Sequence, residues 1–415
     1  MGSVLRSTWP LFVGIVCTVM SYGLQVPLIP LRAFDLGFDT SVTGLIAAGY
    51  FLGGLLSAFI APRLIQHVGH IKVFAALASV ASGTPVLYVI FDQPLLWFVL
   101  HTATGLCLGG LYIVAETWLN DRCANEIRGR VLSLYFMIVV AGTGVGALLL
   151  SLAEPSEATL FILASLLISF GLVPILLSAR PAPSYEAPRR LGLLALARKA
   201  PLGAGAIAIW GLADGALMGA GPIYADKVGL TTDEVATFMA VISLGCLLFM
   251  WPIGMLSDRF DRARFLVALS LLAALAAGLC AITPSDSEPL LYGLTALFAG
   301  LTLAHYGLCL AVANDRLEPS EMVSAGATLT ICYSVGSILG PVLSTELMEL
   351  WRPTAFFVFL AGVHVAVVLY GLALMALGAG GGERRQPTAV VTSLAGPLAT
   401  ESALESVRGE ASEVP

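Results

Sequence analysis

The chain has 415 residues, 58% of them hydrophobic and 12% charged, with a mean hydropathy of +0.90 and a net charge of −6. Soluble domains carry about 25% charged residues; half that level leaves too few charges to coat a water-facing surface and disfavours a soluble enzyme, a disordered chain, a collagen or a nucleic-acid binder. A transmembrane helix takes roughly 20 apolar residues, so this composition furnishes about twelve of them and points to an all-α integral membrane protein.

Apolar stretches of spanning length fall at 9–32, 41–65, 72–91, 94–119, 130–152 and 158–179, then at 202–225, 233–256, 265–283, 289–313, 323–347 and 354–377. The first is too long for a signal-peptide core and lacks a small-residue cleavage site after it, so it reads as a span. Between the two sets of six, Pro181, Pro183 and Pro188 precede Arg189, Arg190, Arg198 and Lys199. Leu191, Leu193, Leu194 and Leu196 sit among these charges, a pattern suited to an amphipathic helix on the membrane surface. The Gly-, Ser-, Thr- and Glu-rich end is expected to be disordered. The expected domains are a six-helix bundle at 1–179, a cytoplasmic linker at 180–201, a second six-helix bundle at 202–377 and a cytoplasmic tail at 378–415.

Charge placement fixes the expected orientation. With both termini cytoplasmic, eighteen of the twenty-one Lys and Arg lie inside and only Arg32, Lys227 and Arg352 lie outside. The outer connections carry Asp35, Asp39, Asp92, Glu154, Glu157, Asp286 and Glu288 instead. Short outer loops suit a multi-pass protein of a bacterial inner membrane. The seven cysteines are scattered singly, with no C-x-x-C pair and no His/Cys cluster, so no metal site and no cofactor are expected.

The two sets of spans repeat one another. Tyr112 and Asn120-Asp121-Arg122 recur 194 residues later as Tyr306 and Asn314-Asp315-Arg316, and Gly142 and Gly146 recur as Gly336 and Gly340. At an offset of 192, Gly37 meets Gly229, Gly53 meets Gly245, Leu64 meets Leu256 and His70 meets Arg262. Parallel repeats about an axis normal to the membrane are a transporter architecture.

The loop after the eighth span, Gly254-Met255-Leu256-Ser257-Asp258-Arg259-Phe260-Asp261-Arg262-Ala263-Arg264, resembles the G-x-L-x-D-R-x-G-R signature of the major facilitator superfamily, with Asp261 in place of Gly. The corresponding loop after the second span is degraded, Gln66 standing in the acidic position. Gly336-Ser337-Ile338-Leu339-Gly340-Pro341 adds a G-x-x-x-G-P pattern, while the fifth span, where the family's antiporters carry that element, has Ala147 in place of Pro. The resemblance covers about residues 8–377 and implies two bundles that rock about a central site. It also implies a gating latch of Asp258, Arg259 and Arg262, with Asp121, Arg122 and Arg128 as the charges of the first half. Alternatively, these charges serve the topology alone.

Ionisable residues deep in spans are expensive and are functional hypotheses by default. Asp214 sits near the middle of the seventh span, among Gly211, Gly215, Gly219, Gly221 and Pro222, which would let that helix bend or break. An apolar setting disfavours charge on a carboxyl, which suits a proton carrier; a structural partner for a buried hydroxyl is the alternative. Glu116 lies one turn before Asn120-Asp121-Arg122 and serves either as an inner proton exit or in an ion pair with Arg122, Arg128 or Arg130. His101 stands where the resembling family has an Arg linked with proton movement, and His305 follows in the tenth span; both are proton-coupling candidates or packing residues. In the first span Pro27 and Pro30 follow Tyr22 and Gln25 and would disrupt that helix as Pro222 would the seventh, and paired breaks of this kind point at a central site. Tyr22, Gln25, Tyr50, Trp210, Asp214 and Tyr333 outline an aromatic substrate site with few charges, with packing as the alternative.

The expected activity is therefore secondary active transport of a small neutral or weakly cationic, amphipathic or aromatic molecule, coupled to protons and performed by a monomer in the lipid bilayer. An uncoupled facilitator and a transporter-like receptor are the alternatives. A P-loop, G-x-S-x-G and H-E-x-x-H are all absent from the sequence, which argues against an ATP-driven pump and a membrane enzyme.

Overall fold

Each apolar stretch becomes a helix because a backbone in lipid must satisfy its own hydrogen bonds. The computed structural model describes residues 2–122, 125–177, 191–284 and 287–378, with side chains excepted at 2–7, 121–122, 125–128, 319, 320 and 323. Most of the expected linker, the expected tail beyond 378, and the side chains of Asp121, Arg122 and Arg128 thus lie outside the described residues.

The helices are α1 (Gly2–Asp35), α2 (Thr40–Val68), α3 (His70–Ile90), α4 (Pro94–Arg122), α5 (Asn125–Leu148), α6 (Ala158–Leu176), α7 (Leu193–Lys199), α8 (Pro201–Lys227), α9 (Thr232–Ser257), α10 (Arg262–Ile282), α11 (Glu288–Leu303), α12 (His305–Asn314), α13 (Pro319–Leu350) and α14 (Ala355–Ala376). A 3₁₀ turn, Leu149–Leu152, extends α5. Among the described residues there is no strand, and twelve spans are long and apolar enough to cross a membrane, α11 and α12 together forming one. Leu271, Leu275 and Leu279 on α10 are about half exposed and form a continuous apolar stripe, a surface stable against lipid and not against water.

The repeat read in the sequence is visible in the packing. Helix α1 lies against α5 and α6 as α8 lies against α13 and α14, and α2 pairs with α4 as α9 pairs with α11. The halves meet mainly through α2 with α13 and α5 with α9. Gly44 at the start of α2 abuts the Thr345 side chain near the end of α13, and Gly219 leaves room for Ala47 and Pro341. These contacts lie toward the end that carries Asp35, Asp39 and Glu154, the acidic end; Arg262 and Lys199 mark the opposite, basic end.

Two expectations about helix breaks are corrected. The helix α8 is continuous through Gly211, Gly215 and Pro222, and α1 is continuous through Pro27 and Pro30. The interrupted span is the tenth, at Ala304 between α11 and α12. There His305 Nδ1 lies 3.0 Å from the carbonyl oxygens of both Leu301 and Thr302 and donates to them, while Nε2 meets Ser270 Oγ at 2.9 Å. A buried side chain thus answers the backbone acceptors at the interruption.

Candidate functional site

Asp214 is placed by glycine. Gly211 and Gly215 flank it on α8, and a Cβ at either would collide with α13 backbone at Tyr333 or Ser337. With hydrogen there instead, the helices touch, and Tyr333 donates its hydroxyl proton to Asp214 Oδ2 at 2.6 Å. Asp214 is only 3% exposed. Behind Tyr333 the indole of Trp210 stacks at 5.6 Å, and behind Trp210 the imidazole of His305 lies nearly parallel at 6.4 Å. A file of rings therefore runs from the interruption in the tenth span to the hydroxyl on Asp214.

In front of Asp214 is a cavity of about 240 Å³ between the halves. The first half supplies Tyr22, Tyr50 and Tyr112, and the second supplies Asp214, Met218 and Tyr333. Tyr22 and Tyr50 stack at 4.9 Å, and Tyr22 lies within electrostatic reach of Asp214 across the boundary between the halves. Among the described residues no Lys, Arg or His lines the cavity. Its walls run from mid-span toward the basic end, reaching Ser57 and Ala58 on α2 and Ile113 on α4.

Of the residues expected at a substrate site, Tyr22, Tyr50, Asp214 and Tyr333 line this cavity together. Gln25 and Trp210 are buried and outside its lining; the Gln25 amide nitrogen donates to Ser21 Oγ at 3.1 Å and to the Ser21 carbonyl at 3.3 Å. His101 lines a second, much smaller pocket on the far side of Tyr22 and Tyr50, and meets the Tyr88 hydroxyl at 3.2 Å. His305 is fully buried behind Trp210. Glu116 is buried at the basic side of the cavity, accepting from the Tyr135 hydroxyl at 3.4 Å, with Tyr112 and Tyr306 in electrostatic reach. Among the described residues there is no cluster of His, Cys, Asp and Glu that could hold a metal.

At the basic end, Arg262 bridges two carboxylates: Asp258 at 3.3 Å and Asp315, at the end of α12, at 2.6 Å. Arg259 is exposed. Asp261, which departs from the signature's Gly, is the N-cap of α10 and accepts from the Arg264 amide at 2.9 Å. Asp315 was visible in the repeat but not recognisable as the partner of Arg262. In the first half His70, the counterpart of Arg262, meets Thr117 Oγ1 at 3.1 Å.

Comparison with known proteins agrees with this architecture. The family model described as Major Facilitator Superfamily matches residues 11–304 and, in a second overlapping match, 203–410. The uncharacterized MFS-type transporter YcaD of Salmonella paratyphi B is 26% identical over 381 residues, covering 89% of this chain and 96% of its own; YcaD of Escherichia coli is likewise 26% identical, over 373 residues, with the same coverage of both chains. Among solved structures, a bacterial homolog of the human lysosomal transporter Spinster, inward-facing and unoccupied, has a TM-score of 0.71 at 14% identity, covering 97% of this chain and 98% of its own. The nucleoside transporter NupG has a TM-score of 0.70 at 13% identity, covering 89% and 98%. At these identities the structural likeness establishes fold alone.

Proposed function

The chain belongs to the major facilitator superfamily and is a multi-pass membrane transporter, and from that premise we propose that it moves a small neutral or weakly cationic, amphipathic or aromatic molecule by proton-coupled alternating access. The two moving bodies are residues 1–179 and 202–377, one chain forming one pathway. The observation that carries the reading is Asp214, an acidic residue in mid-membrane, held by Tyr333 and lining a cavity shared by both halves. A carboxyl so placed has two occupants to choose between, a proton and a substrate group.

The remaining ionisable residues take subsidiary places in this reading. Glu116 receives protons on the basic side, His101 stands between the small pocket and Tyr88, and His305 steadies the rings behind Tyr333. Asp258, Arg259 and Arg262 form a latch with Asp315, and Asp121, Arg122 and Arg128 are its first-half counterpart. The excess of Lys and Arg at the basic end supports a cytoplasmic placement of that end in a bacterial inner membrane. Contacts between the halves toward the acidic end then correspond to an inward-facing state.

Proteoliposome flux tests the proposal. A panel of neutral and weakly cationic aromatic and amphipathic solutes is assayed with and without an imposed pH gradient, in wild type and Asp214→Asn. Gradient-driven accumulation lost in the variant is the expected result. Accumulation by Asp214→Asn with wild-type proton stoichiometry would overturn the coupling role.

A further inference from the structure

We infer that the substrate of the central cavity is a protonated aryl-alkyl amine, its ammonium group seated on the carboxylate of Asp214 and its ring among the tyrosines, rather than a neutral alcohol, polyol or acid. The inference narrows the transporter reading given above and rests on it.

The first ground is the sign of the charge. The lining has one acidic side chain and, among the described residues, no basic one. Only Oδ2 of Asp214 is engaged, by Tyr333; among the described residues Oδ1 has no hydrogen bond. A largely buried carboxyl with one oxygen unengaged takes up either a proton or a donor bearing positive charge, and so favours a cation over an anion.

The second ground is the direction of the hydroxyl protons. A Ser or Thr hydroxyl has one proton to give and two lone pairs to receive. Ser57 donates to the Gly54 carbonyl at 2.7 Å, Thr143 to Val139 at 2.9 Å, Thr330 to Gly326 at 3.2 Å and Ser334 to Thr330 at 2.8 Å. All four line the cavity; Ser57, Thr143 and Ser334 direct their proton back into their own helix, and Thr330 also meets the Tyr306 hydroxyl at 3.2 Å. The Tyr333 proton is committed to Asp214. These hydroxyl oxygens keep lone pairs to offer, which suits a ligand that gives hydrogen bonds, as an ammonium group does.

The third ground is aromatic. Tyr22, Tyr50, Tyr112 and Tyr333 surround the same space from four helices. Ring faces are negative and attract ammonium groups, while the ring bodies accept an aryl group. Carboxylate, acceptors and ring faces all bear the same sign.

The test compares three ligands of one skeleton on the full chain in lipid nanodiscs: 3-phenylpropylamine, 3-phenylpropan-1-ol and 3-phenylpropanoate, by equilibrium dialysis at neutral pH. The amine is expected to bind at least tenfold tighter than the alcohol, about 1.4 kcal/mol, with the acid weakest. Asp214→Asn should erase the amine's advantage over the alcohol. The wild-type ranking decides even where that variant does not fold. An alcohol or acid that binds as tightly as the amine, or no amine binding at millimolar concentration, overturns the inference. Because binding is read without flux, failed gradient-driven transport would overturn the coupled-transporter reading while the ranking stood, and the converse also holds.

Discussion

Replacing Gly215 by Ala tests how the site is assembled. A Cβ there would stand 2.6 Å from Ser337 Cα and 2.7 Å from its carbonyl carbon, where ordinary contact begins at 3.4 Å. The Ser337 carbonyl oxygen would be nearer still, so to restore contact α13 must withdraw by about 1.2 Å, and Tyr333 lies one turn away on the same helix, so its hydroxyl moves from 2.6 Å to about 3.8 Å from Asp214. That is outside the 2.5–3.0 Å of an O–H···O bond. Overpacking of this kind costs about 1–3 kcal/mol. The matched control is Gly362→Ala in α14, where an added Cβ meets nothing within 4 Å. There the helix should gain about 0.5–1 kcal/mol. Thermal unfolding of the purified protein and gradient-driven flux are measured on both variants. Gly215→Ala should melt lower and lose flux, and Gly362→Ala should melt at or above wild type with flux retained. A Gly215→Ala protein that melts like wild type and transports fully would refute the claim that close α8–α13 contact builds the site.

Three further outcomes follow from the same geometry. Tyr333→Phe keeps the ring against Trp210 and removes the donor to Asp214; hydrogen bonds to charged groups are worth about 1.5–3 kcal/mol and interhelical ones in membranes about 0.6, so a loss of about 1–2 should raise the half-saturating substrate concentration 5- to 30-fold. At the basic end, Arg262 is largely buried, as is Asp315, whereas Asp258 is half exposed; Asp315→Asn should cost about 2–3 kcal/mol and Asp258→Asn under about 1 in unfolding experiments, and the reverse order would contradict the latch geometry. Lys199 pairs with Glu321 just ahead of the eleventh span and holds its carboxyl below the usual 4.5. A carboxyl lowered on folding stabilises above its unfolded value and ceases to as pH falls through its folded one, so spin-label distances between α7 and α13 should stay fixed at neutral pH and broaden only below about 4.5; Lys199→Ala should broaden them at neutral pH.

Spans and repeat were legible in the sequence because lipid imposes a length and an apolar composition on every crossing helix. Asp214 was legible for the same reason: a carboxyl in such a run stands out. What the sequence withheld was the face on which each residue lies. Trp210 and Gln25 were expected in the cavity, yet Trp210 is fully buried behind Tyr333 and Gln25 is bonded along α1. A helix that is apolar all round offers no periodicity from which to choose between a neighbour, lipid and a cavity. The Pro and Gly residues misled in the same way. In α1 and α8 they are absorbed by close neighbours, as in many membrane helices, whereas the interrupted span bears neither Gly nor Pro at Ala304 and is met by a histidine. Asp315 escaped because its partner Arg262 lies 53 positions away and on another helix.

The repeat also shows how chemistry is divided between the halves. Position 262 is Arg, pinned between two carboxylates; its counterpart at position 70 is His, against a Thr hydroxyl. The cavity's carboxylate likewise comes from the second half, while the first half gives it three tyrosines. Duplication supplied two equal scaffolds, and the charges have since been placed unequally upon them. A site built this way is complete only where the halves face one another: Asp214 without Tyr22 and Tyr50 is a buried acid, and the tyrosines without Asp214 are packing. On the proposed function, rocking one half against the other would reassemble or disperse the ligand's surroundings, which is what alternating access requires of a binding site.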